Sequence, residues 1–374
     1  MMPPGNHRVT GTAVLLSVAR ALLLCAALFA FFVSIKMIGI SFKLFGADFA
    51  QGLLATTSSP FVGLVVGILA TTLMQSSSAT TSITVGLVAA GGITVHGAVP
   101  IIMGANIGTS VTNTIVSMGH ISRRQEFRRA VAGATVHDFF NLLVVVVLFP
   151  LELATGYLAR TAGLLTRVFQ NVGGLELISP LDHLVKPCAG LLVHALGDSG
   201  ILGIVAALVL LFTALRLLTG ILRVVVVSRI SHIINRYLFR SGLVSLGFGV
   251  AITVLVQSSS VTTSLVVPLV ASGLLTLEQI FPYTLGANLG TTVTALLAAL
   301  VTAHPGGLTA ALVHLLFNLT GIVMVLLTPL KRVPLALARG LARHAERRRL
   351  VAVAYLVVVF YLVPLGLVLL SRRH

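Results

Sequence analysis

The chain alternates long apolar runs with short polar intervals. Runs of membrane-crossing length predict helical spans over residues 13–40, 94–118, 130–150, 199–220, 277–302, 308–330 and 350–370. Two segments, 60–92 and 243–273, break the pattern because each is interrupted by a polar octet: QSSSATTS at Gln75–Ser82 and QSSSVTTS at Gln257–Ser264. Hydrocarbon offers no partner to hydroxyls and amides, so such octets require protein or a polar cavity around them. The 14 residues Phe61–Met74 extend about 21 Å as helix against about 30 Å of hydrocarbon and cannot cross alone. The pattern therefore predicts a re-entrant hairpin over about 60–92, two half-helices meeting at Gln75, Ser76 and Ser77, and a second over about 243–273.

The octets mark an internal duplication. They lie 182 residues apart, and the register holds without a gap to Thr112 and Thr294, with 21 of 38 aligned positions identical. Each hairpin is followed by a span carrying a proline and then glycines flanking an asparagine: Pro100, Gly104, Asn106, Gly108, and Pro282, Gly286, Asn288, Gly290. That composition predicts two helices that unwind in their interiors. Gly63 and Gly67 form a small-residue packing pattern, and residues 41–58, with Lys43 and Asp48, are expected along the interface.

Composition fixes the class. With 57% hydrophobic and 9% charged residues, the chain lacks the polar surface of a soluble protein. The formal net charge of +16 does not point to nucleic acid, because the basic residues gather in short intervals between spans. They report orientation instead. Arg123, Arg124, Arg128 and Arg129 face Glu126 alone, Arg229, His232, Arg236 and Arg240 share one face of an expected interfacial helix, and Lys331–Arg349 is strongly basic. With Arg8 and Arg20 near the first span, the bias puts the N-terminus in the cytoplasm, although Arg372 and Arg373 fall on the disfavoured side. No signal peptide is expected before the first run, and Cys25 and Cys188 indicate neither a disulfide framework nor a thiolate metal site.

An odd number of crossings separates the hairpins (94–118, 130–150, 199–220), so the halves are inverted. The expected fold is an all-α polytopic membrane protein with two inverted-topology repeats, each with a re-entrant helical hairpin and a broken transmembrane helix, as in secondary transporters. The organisation follows: 1–150 a first repeat, 151–197 an external linker, 198–330 a second repeat, and 331–374 a basic cytoplasmic loop and final span.

Each tip presents hydroxyls, an amide and first-turn N–H groups at the positive end of a half-helix, which favours an anion. Gln75, Ser76, Ser77 and Ser78 would face Gln257, Ser258, Ser259 and Ser260. The segments around Asn106 and Asn288 add carbonyls and the hydroxyls of Thr109, Thr112, Thr291 and Thr294, hard oxygens suited to an alkali cation. Serine and threonine in apolar helices ordinarily serve packing or bond back to carbonyls, but two matched tips bearing glutamine favour binding. Neither hairpin nor either following span contains lysine or arginine, so a multiply charged anion would need co-bound cations for balance.

Asp138 is the acid placed deep in a span. His137, Asp138 and Asn141 align with His314, Leu315 and Asn318, so this carboxylate has no twin. It reads either as a cation site that exists once or as a structural group paired with His137 or backbone; the cost of an intramembrane carboxylate favours the former. The histidines and Asn141 and Asn318 fit interhelical hydrogen bonds as well as ligands.

The paired octets, together with GANIGTSVTNT, GANLGTTVT and FRRAVAGATVHDFFN, resemble the type II sodium-dependent phosphate cotransporter family in its bacterial form. The likeness extends over nearly the whole chain. It implies sodium-driven import of divalent hydrogen phosphate by alternating access, without enzymatic activity, and links an aspartate at the Asp138 position to electrogenic transport. On that resemblance Gln75–Ser78, Asn106, Gln257–Ser260 and Asn288 are expected to hold phosphate, and Thr109, Thr112, Asp138, Asn141, Thr291, Thr294 and Asn318 to hold sodium, a co-substrate rather than a cofactor. The implied setting is the cell membrane, the inner membrane for a prokaryote, with lipid, phosphate and sodium as partners, no nucleic acid, and a homo-oligomer left open. The chain departs from animal members in a short 151–197 segment without their cysteine pair and in ending after one span beyond the second repeat. Two other readings compete: a passive anion channel or carrier of another small oxyanion, and an intramembrane hydrolase using His137 and Asp138. Adjacent residues point to different helix faces and a single nucleophile needs no duplicate, which argues against the hydrolase.

Overall fold

A computed structural model describes residues 11–57, 59–109, 111–171, 179–230 and 241–371. The described residues are helical throughout, joined by short turns. In chain order the helices are α1 (Gly11–Lys43), α2 (Ala47–Thr57), α3 (Pro60–Met74), α4 (Ser77–Ala90), α5 (Val95–Gly108), α6 (Val111–Met118), α7 (Arg124–Thr155), α8 (Tyr157–Asn171) and α9 (Ser179–Ala195). They continue as α10 (Gly200–Ile230), α11 (Gly242–Val256), α12 (Ser259–Ala271), α13 (Leu277–Thr302), α14 (Pro305–Leu326), α15 (Arg332–Arg347), α16 (Leu350–Val357) and α17 (Val363–Ser371), the last two joined by a π-helical segment, Val358–Leu362. Seven stretches among the described residues are long and apolar enough to cross a membrane: Val18–Lys43, Val95–Met118, Arg124–Thr155, Gly200–Ile221, Leu277–Thr302, Pro305–Leu326 and Leu350–Leu367. The protein is an all-α polytopic membrane protein.

The two short helix pairs fall where the octets interrupt the apolar pattern. Between α3 and α4, Gln75 adopts the left-handed conformation (φ 54°, ψ 29°) and Ser76 is extended (φ −152°, ψ 102°). Between α11 and α12, Gln257 (φ 56°, ψ 27°) and Ser258 (φ −154°, ψ 108°) repeat that turn. A left-handed non-glycine residue is uncommon; two at duplicated positions make the turn a property of the repeat.

The interior breaks expected in both following spans are corrected in part. The first is interrupted between Gly108 and Val111, beyond the glycine and asparagine cluster, whereas α13 runs unbroken through Pro282, Gly286, Asn288 and Gly290. The glycines serve close packing rather than unwinding. A methyl group at Gly67 would overlap the Ile101 carbonyl, and one at Gly104 the Leu64 carbonyl; in the second half Gly249 meets Tyr283 and Gly286 meets Leu246 in the same way. Backbone-to-backbone approach of this kind is the small-residue seam of membrane helices. Pro100 and Pro282 are each the sixth residue of their helix and remove one early donor without unwinding the rest.

Three other segments differ from expectation. Residues 151–197, read as a linker, contain α8 and α9, whose Leu158, Ala162, Val185 and Val193 are buried against the bundle. Glu152, buried at the end of α7, accepts the backbone N–H groups of Leu158 (2.6 Å) and Ala159 (3.2 Å) and so caps α8. The basic interval read as a loop is largely α15, which buries Pro334, Ala338, Ala342 and Ala345 and packs along α7. The span expected to end at residue 220 continues as α10 to Ile230; His232, Arg236 and Arg240 of the expected interfacial face lie outside the described residues, as does the side chain of Arg229.

The halves interlock. The return arm α4 packs on α13 and α14, and the return arm α12 packs on α6 and α7. Each octet is therefore walled by helices from the other half.

Candidate functional site

The turns are held by side chains of the motif itself. Ser76 Oγ accepts the Ala79 N–H (3.1 Å) and Ser258 Oγ accepts the Val261 N–H (3.3 Å), so each serine is an N-cap. This leaves the first-turn N–H groups of Ser77 and Ser78, and of Ser259 and Ser260, beyond reach of any intrahelical carbonyl. Thr112 Oγ1 donates to Gln75 Oε1 (2.7 Å), and its twin Thr294 Oγ1 donates to Gln257 Oε1 (2.8 Å). Each left-handed glutamine is thus tied to the span that follows it, and its amide donates locally, to Thr72 or Val254 carbonyls. Ser77, Ser78, Ser259 and Ser260 are all buried.

Hydroxyls of the expected cation set are partly committed. Thr109 and Thr291 each donate back to the carbonyl four residues earlier, both at 3.0 Å. A back-bonded hydroxyl keeps lone pairs for a cation but no proton for an anion. Ser260 Oγ donates to the Thr109 carbonyl at 3.5 Å, which brings the second tip to the break between α5 and α6.

Between the halves lies a polar network. Asn141 Nδ2 donates to the Asn106 carbonyl (2.8 Å), Asn288 Nδ2 donates to Asn141 Oδ1 (2.7 Å), and His137 Nε2 is hydrogen-bonded to Asn288 Oδ1. Asn106 turns its own amide to the Ile102 carbonyl at 2.9 Å. The twin positions are not joined this way. His314 and Asn318 are fully buried, yet among the described residues both ring nitrogens of His314 and Asn318 Oδ1 lack partners, while Asn318 Nδ2 bonds back to the His314 carbonyl at 3.0 Å. The unsatisfied atoms of the second half correspond to the bonded atoms of the first.

Asp138, 1% exposed, accepts a hydrogen bond from the Tyr355 hydroxyl at 3.2 Å. Tyr355 belongs to α16, outside the duplicated register, and its ring packs on Phe139. No repeat argument could have found it. Asn113 Nδ2 donates to Thr263 Oγ1 (2.8 Å) across the halves, and Thr71 Oγ1 donates to Thr80 Oγ1 (2.7 Å) within the first hairpin. Thr80 and Thr263 lie inside the octets and Asn113 inside the string GANIGTSVTNT, so their signal was present in the motifs; Thr71 carried none.

The structure thus groups the predicted residues into four sets. Each tip with its Gln–Thr pair is one, the network of Asn106, His137, Asn141 and Asn288 a third, and Asp138 with Tyr355 a fourth. Asn318 sits in the unjoined twin of the network.

The family model described as Na+/Pi-cotransporter matches residues 30–173 and 210–372. The chain is 35% identical to sodium-dependent phosphate transport protein 2A of Rattus norvegicus, over 90% of this chain and 65% of that protein. It is 33% identical to sodium-dependent phosphate transport protein 2B of Homo sapiens, over 93% of this chain and 64% of that protein. The chain spans somewhat less than two thirds of the length of these relatives. No solved structure matches it.

Proposed function

The chain belongs to the Na+/Pi-cotransporter family, and on that premise we propose that it is a secondary transporter coupling sodium entry to import of inorganic phosphate. The observation that carries this reading is the matched pair of tips. Each has two first-turn N–H groups with no intrahelical acceptor, beside buried serines and after a left-handed glutamine fixed by a threonine. Such tips offer dipole and N–H donors to an anion, with charge balance left to cations. Gln75–Ser78 and Gln257–Ser260 hold the phosphate in this reading, with the Asn106 and Asn288 segments beside them. Thr109, Thr112, Thr291, Thr294, Asn141 and Asn318 supply oxygens for sodium. Asp138, a carboxylate without a twin, adds a cation site that exists once and makes the cycle electrogenic, and Tyr355 orients it.

In the same proposal the halves are inverted across the membrane, the N-terminus is cytoplasmic, and transport proceeds by alternating access in the cell membrane. The asymmetry of the polar network supports it. Inverted repeats exchange conformations between the two end states, so the opposite state would join His314, Asn318 and Asn106 and release His137, Asn141 and Asn288. The test is labelled phosphate uptake into proteoliposomes with sodium, lithium or potassium outside. Accumulation above the external concentration with sodium alone is expected; equal uptake with potassium would overturn the coupling and leave a passive pathway.

A further inference from the structure

A cavity of about 730 Å³ opens at the N-terminal end of α13, between the start of α7, the end of α12 and the inner face of α15. Its charged lining is four arginines, Arg128, Arg129, Arg339 and Arg343, against one acid, Glu278. Two of the arginines are spoken for: Arg339 pairs with Glu278, and Arg128 with Glu346 at 3.2 Å. These pairs fix α15 against α7 and α13 and so set the cavity's width. Arg129 and Arg343 have no carboxylate partner among the described residues. Arg129 lies over Gly273, the left-handed residue (φ +82°) that ends the return arm of the second hairpin, so close that a side-chain carbon there would strike the guanidinium. Thr276 and Gln279 close a capping box at the start of α13, which directs the positive end of a 26-residue helix toward the same space.

The opposite end of α13 carries a smaller counterpart. A cavity of about 190 Å³ is lined there by Lys36, Lys43 and Lys186 together with Thr302, the last residue of the helix. Cationic hollows therefore occupy both ends of a helix about 39 Å long by its rise per residue, and the arginine hollow is the larger. Guanidinium groups recognise phosphate oxygens through paired N–H donors, and two of them flanking a recess make a bidentate seat.

We propose that the arginine cavity is a binding site for a phosphate group, with Arg129 and Arg343 as its contacting side chains. The same chemistry can come from free inorganic phosphate or from the headgroup of an anionic phospholipid. The site is distinct from the serine tips: it lies at the far end of α12 from Ser259. It stands on the cavity and its charges and shares with the transport reading only the ligand.

The test uses the full chain in detergent and in lipid nanodiscs, in sodium-free potassium buffer, where the tips lack the cations that would balance an anion. Two probes are applied to the wild type, to the Arg129→Gln/Arg343→Gln variant and to the charge-preserving Arg129→Lys/Arg343→Lys variant. Inorganic phosphate is titrated by calorimetry in detergent, and phosphatidylglycerol retained from nanodiscs is counted by native mass spectrometry. Free phosphate as ligand predicts binding weakened about tenfold in the Gln variant and by less in the Lys variant, which keeps the charge but loses the paired donors. A headgroup as ligand predicts loss of retained phosphatidylglycerol in the Gln variant and partial loss in the Lys variant. Retention of both probes at wild-type level by the Gln variant, or binding of neither by the wild type, overturns the site. Because neither probe needs sodium or turnover, failure here leaves the transport reading standing, and absence of uptake leaves this site standing.

Discussion

His137 on α7 is hydrogen-bonded through Nε2 to the carboxamide oxygen of Asn288 on α13, while His314, its counterpart in the second half, is equally buried and has no partner at either ring nitrogen among the described residues. The two outcomes make opposite mutational predictions. Asn288→Ala removes one hydrogen-bond partner from the His137 ring and one from Asn141 Oδ1 and should cost about 1–3 kcal/mol of stability, as loss of a buried partner does. His314→Leu removes an unsatisfied group and should leave thermal stability unchanged or raised, yet slow phosphate uptake, because the opposite state would need that imidazole. A His314→Leu chain with both wild-type stability and wild-type turnover would remove the exchange of networks from the mechanism.

The serine tips separate into capping serines and the serines that follow them, and the two groups should respond differently to substitution. Ser76→Ala and Ser258→Ala each lose an N-cap and should lower stability by about 1 kcal/mol. Ser77→Ala and Ser259→Ala keep the caps, so thermal unfolding should change little while the KM for phosphate rises about tenfold. If both of the latter variants show unchanged KM in proteoliposome uptake, the tips are not the phosphate site.

Alanine at Gly67, Gly104, Gly249 or Gly286 places a methyl group on a backbone carbonyl of the partner helix. Overpacking of this kind costs about 1–3 kcal/mol or more, so each variant should lose yield and melting temperature. Gly163→Ala and Gly190→Ala, where an added carbon meets nothing, are the silent controls. Equal melting temperatures across the two groups would mean that the helices separate freely at the seam.

Asp138→Gly should retain sodium-dependent uptake with reduced or abolished current. Tyr355→Phe deletes the hydroxyl that donates to Asp138 and should move the sodium concentration for half-activation while leaving charge per phosphate intact. Two-electrode or solid-supported-membrane recording alongside isotope uptake reads both quantities; an unchanged charge per phosphate in Asp138→Gly would take the carboxylate out of the cation pathway.

The inverted arrangement is open to a labelling test. In a background with Cys25 and Cys188 replaced by serine, Gln125→Cys in the basic first turn of α7 and Gly190→Cys in α9 should react with membrane-impermeant thiol reagents from opposite sides. Reaction of both from one side contradicts an odd number of crossings between the hairpins.

The hairpins were legible because a polar octet inside an apolar run has few physical outcomes, and a half-length helix fewer still. The glycines at 104, 108, 286 and 290 were not, because glycine serves unwinding and close approach equally and only the facing carbonyl tells them apart. The helix α15 was masked by its charge: the arginines read as loop, whereas Ala338, Ala342 and Ala345 keep helical spacing on the buried side. At the site, twin positions pointed to Gln–Thr and asparagine sets, but the bonds of the asparagine set span up to 151 residues, as between His137 and Asn288. Tyr355 was invisible to the repeat because the last span has no twin.

The glycine seams carry a mechanical consequence. Helices whose backbones touch at Gly67 and Gly104, or at Gly249 and Gly286, cannot slide by a residue without driving a side chain into a carbonyl. Each entry arm and the span after it therefore form a rigid plate, and the left-handed glutamine at its edge is the crease. Sliding is closed to the plate, and the return arm leaves it at Gln75 or Gln257, where the backbone turns left-handed.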